Sequence, residues 1–158
     1  MTMLVEKFTA GLALPWPIMV VRLVGATLLC ASIGFERQTT QHAAGLRTHM
    51  LVGLTSAVFS LITLHMLHSF DSETGPVQMD PIRLVEAVTV GVAFLAAGMI
   101  IFNRGKVRGL TTGAAKWVAA GIGLSAGLGL WAMVALAASL ALVISVVLKR
   151  LERPFGDG

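Results

Sequence analysis

The stretch GFERQTTQHAAGLRTHM, residues 34–50, decides how this chain is read. Upstream lies IMVVRLVGATLLCASIGF, residues 18–35, and downstream lies MLVGLTSAVFSLITLHML, residues 50–67. Each apolar run approaches the ~20 residues that cross a ~30 Å hydrocarbon core. Between them sit Glu36, Arg37, a Gln/Thr patch, Gly45 and Arg47. Polar side chains and a glycine between two greasy segments read as a chain reversal at a water interface, with Gly34 continuing a small-residue face and Gly45 permitting the turn.

Three more apolar stretches follow, at residues 84–102, 113–128 and 130–148. The last two are separated only by Gly129, which predicts a tight helical hairpin. The composition agrees: 56% of the 158 residues are hydrophobic, 13% are charged, and mean hydropathy is +0.83. A soluble domain of this size carries far more charge. The expected fold is therefore an all-α integral membrane protein, a bundle of five transmembrane helices. Residues 1–16 form a short extracytoplasmic N-terminus, 17–148 the membrane domain, and 149–158 a cytoplasmic tail. No clean cleavage site follows the first residues, so the first span is expected to be retained.

Orientation follows from Lys and Arg. Arg37 and Arg47 lie in the first loop, Arg104, Lys106 and Arg108 in the third, and Lys149, Arg150 and Arg153 at the end. The second loop carries Asp71, Glu73 and Asp80 with no basic residue before Arg83. Five spans put every basic cluster on one side, which predicts that side to be cytoplasmic and the N-terminus to lie outside. The net charge of +4 is thus a topology signal, and nucleic acid is not an expected partner. The lipid bilayer is.

Local signals fix several starts. Pro17 opens the first helix, Asp80-Pro81 reads as an N-cap followed by proline at the first helical position, and Thr111 and Thr112 suit a cap for the fourth span. Small residues recur at packing spacing: Ala26, Cys30 and Gly34; Ala93 and Ala97, with Gly98 next to them; and Gly123 with Gly127. Such faces let backbones approach within a membrane, and packing within one chain is the expected use.

Ionisable groups inside spans cost about 2.5–3.5 kcal/mol at a helix centre, so each needs an account. Arg22 lies near the outer surface and Lys116 near the inner one, and both are read as snorkelling. Arg83 and Glu86 share a helix face below Asp80, forming either a self-neutralising rim or a polar vestibule for a cation. His65 and His68, close in sequence to Asp71 and Glu73, read as a wet interfacial face, with a metal cluster as the weaker alternative. The NRGKVRGLTTGA segment reads as a topology signal in contact with lipid headgroups, with a phosphate site at a helix start as the alternative. Gly105-Lys106 does not make a P-loop. One cysteine permits no internal disulfide, and no nucleophile, metal or dinucleotide motif of an enzyme is present in the sequence.

Several ordered blocks together resemble the transmembrane domain of the MgtC/SapB family. They are Arg22 in RLVGA, Gly34-Phe35-Glu36-Arg37, Ala43-Ala44-Gly45-Leu46-Arg47-Thr48, Asp80-Pro81 with Arg83, Phe94-Leu95 with Ala97-Gly98, Arg108-Gly109-Leu110-Thr111-Thr112, Trp117, Gly121-Ile122-Gly123-Leu124 and Gly127-Leu128-Gly129. The resemblance spans about residues 20–148. It implies a bacterial inner-membrane protein of five spans, linked to growth at low magnesium. It also implies action on other membrane proteins, the F-type ATP synthase among them, ahead of magnesium pumping. Ala93 and Ala96 stand where members often have Gly, Ala87 stands in place of a common Gln, and Lys116 occupies an expected apolar or small-hydroxyl position. Many members add a soluble C-terminal ACT-like domain, to which the resemblance does not extend.

The expected function is non-enzymatic, in magnesium homeostasis or envelope stress, through binding of other membrane proteins or of a second copy. The alternative is a transporter or channel for magnesium or another cation, with Asp80, Arg83 and Glu86 at its mouth. No cofactor is expected, although Mg2+ is compatible with the resemblance. The residues expected to matter are Glu36, Arg37, Arg47, Asp80, Arg83, Glu86, Asn103, Arg108 and Thr112. Glu36 and Arg47 are expected to pair across the first loop.

Overall fold

The computed structural model describes residues 13–39, 45–73, 80–103 and 106–152. Within them are five helices: α1 (Trp16–Thr39), α2 (Leu46–Glu73), α3 (Ile82–Ala97), α4 (Leu110–Leu128) and α5 (Trp131–Glu152). A short antiparallel pair, β1 (Ile101–Asn103) and β2 (Lys106–Arg108), separates α3 from α4. Residues 1–12 and 153–158 lie outside the described residues, as do residues 40–44 of the first loop.

Helix starts follow the local chemistry. The Pro15 carbonyl accepts from the N–H groups of Ile18 and Met19 at 3.0 and 3.3 Å, so Pro17 sits in a first turn that needs no N–H from it. Asp80 Oδ1 accepts the Ile82 N–H at 3.0 Å, and Pro81 already has helical angles, φ −63° and ψ −20°. The carboxylate therefore takes one of the unpaired donors at the start of α3.

The third apolar stretch does not run as helix to Phe102. α3 stops at Ala97, and the Gly98, Met99 and Ile100 N–H groups close the end by bonding back to Phe94, Ala96 and Ala97 at 3.1 Å each. Ile101 then pairs with Arg108, Phe102 with Val107, and Asn103 with Lys106. Ile-Ile-Phe is as apolar as a helix segment but prefers an extended chain, and hydropathy alone does not separate the two. Gly109 follows in the left-handed region at φ +92°, where a Cβ would collide with the Met99 carbonyl oxygen. Only glycine fits this turn. Gly109, not a threonine, is the residue before α4, and Thr112 is buried inside the helix.

α4 is the axis of the bundle, in contact with every other helix. Its face of Ala119, Gly123, Ala126 and Gly127 is buried. Gly123 abuts the Gly53 backbone of α2, and Gly127 faces Ala57 and Ser60, where a Cβ would lie 2.6 Å from both the Ala57 oxygen and the Ser60 Cβ. These glycines set the separation of α2 and α4, and Ser60 Oγ closes the seam by donating to the Leu124 carbonyl at 2.9 Å. Cys30 Sγ of α1 donates to the Ala119 carbonyl at 3.3 Å. Gly98 has no such role: it is exposed, and only its own Phe94 and Leu95 oxygens lie within 4 Å of a Cβ placed there. Ala96 makes the α3 contact instead, 3.2 Å from a Cβ at Gly113.

The contacts fix direction. Gly34 meets Leu46 and His49, Ala96 meets Gly113, and at the opposite end Arg22 meets Gly127 and Gly25 meets Trp131. The helices therefore alternate, and the first and third connections share one end of the bundle. That end carries Arg37, Arg47, Lys106 and Arg108, while Asp80 and Glu86 belong to the other.

Residues Trp16–Gln38 and Leu46–Ser69 are long and apolar enough to cross a membrane, with mean hydropathy 2.1 and 1.9. Only 22% and 28% of those windows are buried inside the protein. A core helix of a soluble protein hides most of its apolar surface. Here Leu28, Val90, Phe94 and Leu136 point outward at 62%, 68%, 80% and 61% exposure. An exterior of this kind matches hydrocarbon and not water.

Candidate functional site

At the basic end, α1, α2 and α4 enclose a polar cluster. Gly34 makes it possible, since a Cβ there would lie 2.8 Å from Leu46 Cα and 3.0 Å from His49 Cβ. The helices touch at this level, and the polar side chains just beyond are drawn into the bundle. Glu36 Oε2 and Arg37 Nε lie 3.6 Å apart, with both side chains largely buried. His49 is fully enclosed. Its Nδ1 donates to the Gly45 carbonyl, one turn back, at 2.9 Å. A carbonyl only accepts, so Nδ1 carries a proton. Nε2 is buried with no hydrogen-bond partner among the described residues.

Lys116, 5% exposed, approaches from the second turn of α4, and Thr112 lies one turn before it, equally enclosed. Snorkelling to the interface does not describe Lys116, because the residue is buried within the bundle.

Glu36 and Arg47 do not pair. The neighbour of Glu36 is Arg37, and Arg47 is exposed with no ion pair among the described residues. Helix α1 continues past Glu36 to Thr39, so the carboxylate is held inside the bundle while Arg47 points off the outer face of α2.

At the opposite end Arg22 is drawn inward and does not snorkel. Its Nη1 donates to the Gly127 carbonyl at 2.7 Å, and a Cβ at Gly129 would lie 2.6 Å from its Nη2. Gly129 has φ +84°, and the Gly129 and Leu130 N–H groups bond to Ala126 and Ser125 at 3.0 and 2.9 Å. This is a Schellman ending, which leaves the Gly127 carbonyl for Arg22.

The rim residues stay apart. Asp80, Arg83 and Glu86 are exposed, and no ion pair joins them. His65 Nδ1 accepts the Ala13 N–H at 3.3 Å, and His68 is exposed. The side chains of Asp71 and Glu73 lie outside the described residues, as does that of Asn103. Among the described residues no three His, Cys, Asp or Glu side chains converge as a metal site would require.

Sequence reading passed over His49. The signal was present as Gly45, His49, Gly53, Ala57 and Ser60, a small-and-polar stripe at helical spacing. A histidine on that stripe must face the same neighbour as the glycines.

Fold and site together define a helical bundle with an apolar exterior, close glycine seams and a polar, mainly cationic cluster at one end. The chain belongs to the MgtC family, whose model matches residues 23–154. It is 40% identical over 105 residues to the "Putative magnesium transporter YhiD" of Escherichia coli K12, covering 66% of this chain and 48% of that protein. It is 43% identical over 105 residues to "Protein MgtC" of Salmonella typhimurium LT2, covering 66% and 41%. An uncharacterized protein of Haemophilus influenzae is 30% identical over the same length, with 66% and 44% covered. The chain spans less than half the length of these curated relatives. No solved structure matches it.

Proposed function

We propose that the chain is a non-enzymatic, multi-pass protein of the bacterial inner membrane that acts in magnesium homeostasis or envelope stress by binding other membrane proteins. In this reading five spans cross the bilayer, the basic end faces the cytoplasm and the N-terminus faces outward. The excess of basic residues at the end with Arg37, Arg47, Lys106 and Arg108, against the mixed Asp80, Arg83 and Glu86 at the other, supports that orientation. The magnesium link rests on family membership and on the printed name of the E. coli relative.

The observation that carries binding over transport is the sign of the charge held inside. Among the described residues the charged side chains at least partly covered by the bundle are Arg22, Glu36, Arg37 and Lys116, three cationic and one anionic. A divalent cation leaving water needs several oxygen ligands, and magnesium gives up its water reluctantly. A path lined by Arg and Lys repels it.

The test is capture of the tagged chain in mild detergent from cells grown at low and at high magnesium. Stoichiometric recovery of a membrane protein is expected, strongest at one magnesium level. Repeated recovery of the chain alone overturns the reading. Magnesium uptake by proteoliposomes above that of empty liposomes establishes the transport alternative, which the name of the E. coli relative favours.

A further inference from the structure

The helix least embraced by the bundle is α3, which leans on α4 and barely meets α2. Between α2 and α3 runs a groove of about 320 Å³, open to the side and walled by Leu51, Thr55 and Phe59 on α2 and Val88, Gly91 and Leu95 on α3. Its floor is apolar except for Thr55 and the buried Ser56. Gly91 has no atom within 4 Å of a Cβ placed on it, so the groove is open space at its middle.

Both walls lead, at the same end, to an exposed arginine. On α2, Arg47 lies one turn before Leu51, with Thr55 and Phe59 continuing the exposed stripe. On α3, Met99 lies one turn beyond Leu95, and its carbonyl is the atom against which Gly109 packs. Arg108 immediately precedes Gly109 and is exposed at the end of β2. An apolar slot whose two walls each continue, at the same end, to an exposed arginine has the polarity of a phospholipid: hydrocarbon along the slot, phosphate beyond its end.

We infer that the α2–α3 groove is a binding site for one anionic phospholipid of the cytoplasmic leaflet, with an acyl chain along Leu51, Phe59, Gly91 and Leu95 and the phosphate between Arg47 and Arg108. The inference rests on the membrane placement proposed above and not on partner binding. The two arginines are what distinguish this occupant from a neighbouring helix, which would need an apolar or acidic match and no phosphate.

The test is native mass spectrometry of the protein released from mild detergent after incubation with phosphatidylglycerol or phosphatidylethanolamine. The wild type is expected to retain one phosphatidylglycerol in preference to phosphatidylethanolamine. R47Q and R108Q are each expected to lower phosphatidylglycerol retention about fivefold, the value of one basic residue near an anionic surface. Gly91→Leu fills the slot at a position with room for it, so the fold is kept, and retention of both lipids is expected to fall. Equal retention of the two lipids by the wild type overturns the inference, as does unchanged retention in all three variants. If Gly91→Leu shifts the mass from two copies to one and leaves lipid retention intact, the groove is a seat for a second copy and the inference is wrong. Recovery of a protein partner bears on the proposed function alone.

Discussion

Arg22 Nη1 donates to the Gly127 carbonyl oxygen at 2.7 Å and so ties the start of α1 to the last turn of α4. The carbonyl is one of the four that a helix end leaves without an intrahelical partner, and the guanidinium also answers the negative end of the helix dipole. Charge-assisted bonds of this kind contribute about 1.5–3 kcal/mol. Arg22→Leu is therefore expected to lower the thermal midpoint in detergent, with Arg22→Lys intermediate because one cation is kept without the planar fork. A midpoint unchanged by Arg22→Leu shows that the bond contributes nothing net.

The glycine seam makes a sharper contrast. Gly123→Ala puts a methyl onto the Gly53 backbone, which has no free rotor to move aside, whereas Gly121→Ala meets nothing within 4 Å. The first substitution is expected to cut the yield of monodisperse protein severely. The second is expected to be neutral or to stabilise by about 0.5–1 kcal/mol, the helical cost of glycine relative to alanine. Equal yields for the two would show that α2 and α4 are not in contact at Gly53.

Lys116 is 5% exposed and has no hydrogen bond or ion pair among the described residues. Replacing an enclosed cation by an apolar side chain of similar length removes a desolvation cost. Lys116→Met is expected to raise the thermal midpoint of the isolated protein. If it lowers the midpoint, the ammonium has a counter-charge in the folded state.

Cys30 is fully enclosed, with its thiol bonded to the Ala119 carbonyl. A maleimide added to the folded protein in detergent is expected to leave it unmodified for hours, and denaturant is expected to release full labelling. Rapid labelling without denaturant would mean that α1 and α4 separate readily.

Glu36 and Arg47 show how far a sequence carries a pairing argument. Their positions on either side of one reversal suit a bridge across it, yet the structure holds Glu36 against Arg37 and leaves Arg47 on the outer face of α2. Loss of folded yield in Glu36→Ala and Arg47→Ala is accordingly expected to be additive in the double variant. Rescue of one by the other would restore the bridge.

The residues themselves determined the apolar runs, the reversal around residues 34–50, the cap at Asp80-Pro81, the glycine face of α4 and the family, because each is a local signal of composition, spacing or ordered motif. The structure decided what depends on a second element. Gly98 looked like a packing glycine but only ends α3, and Ile101–Asn103 read as helix until Lys106–Arg108 supplied a strand to pair with. His49 and Lys116 became an enclosed cluster, and Arg22 a cap for α4, once three helices met at distances set by glycine. Hydropathy sums over neighbours in the chain. Burial and pairing depend on neighbours in space, and in this bundle the polar residues at issue lie on faces that only the helix contacts assign to inside or outside.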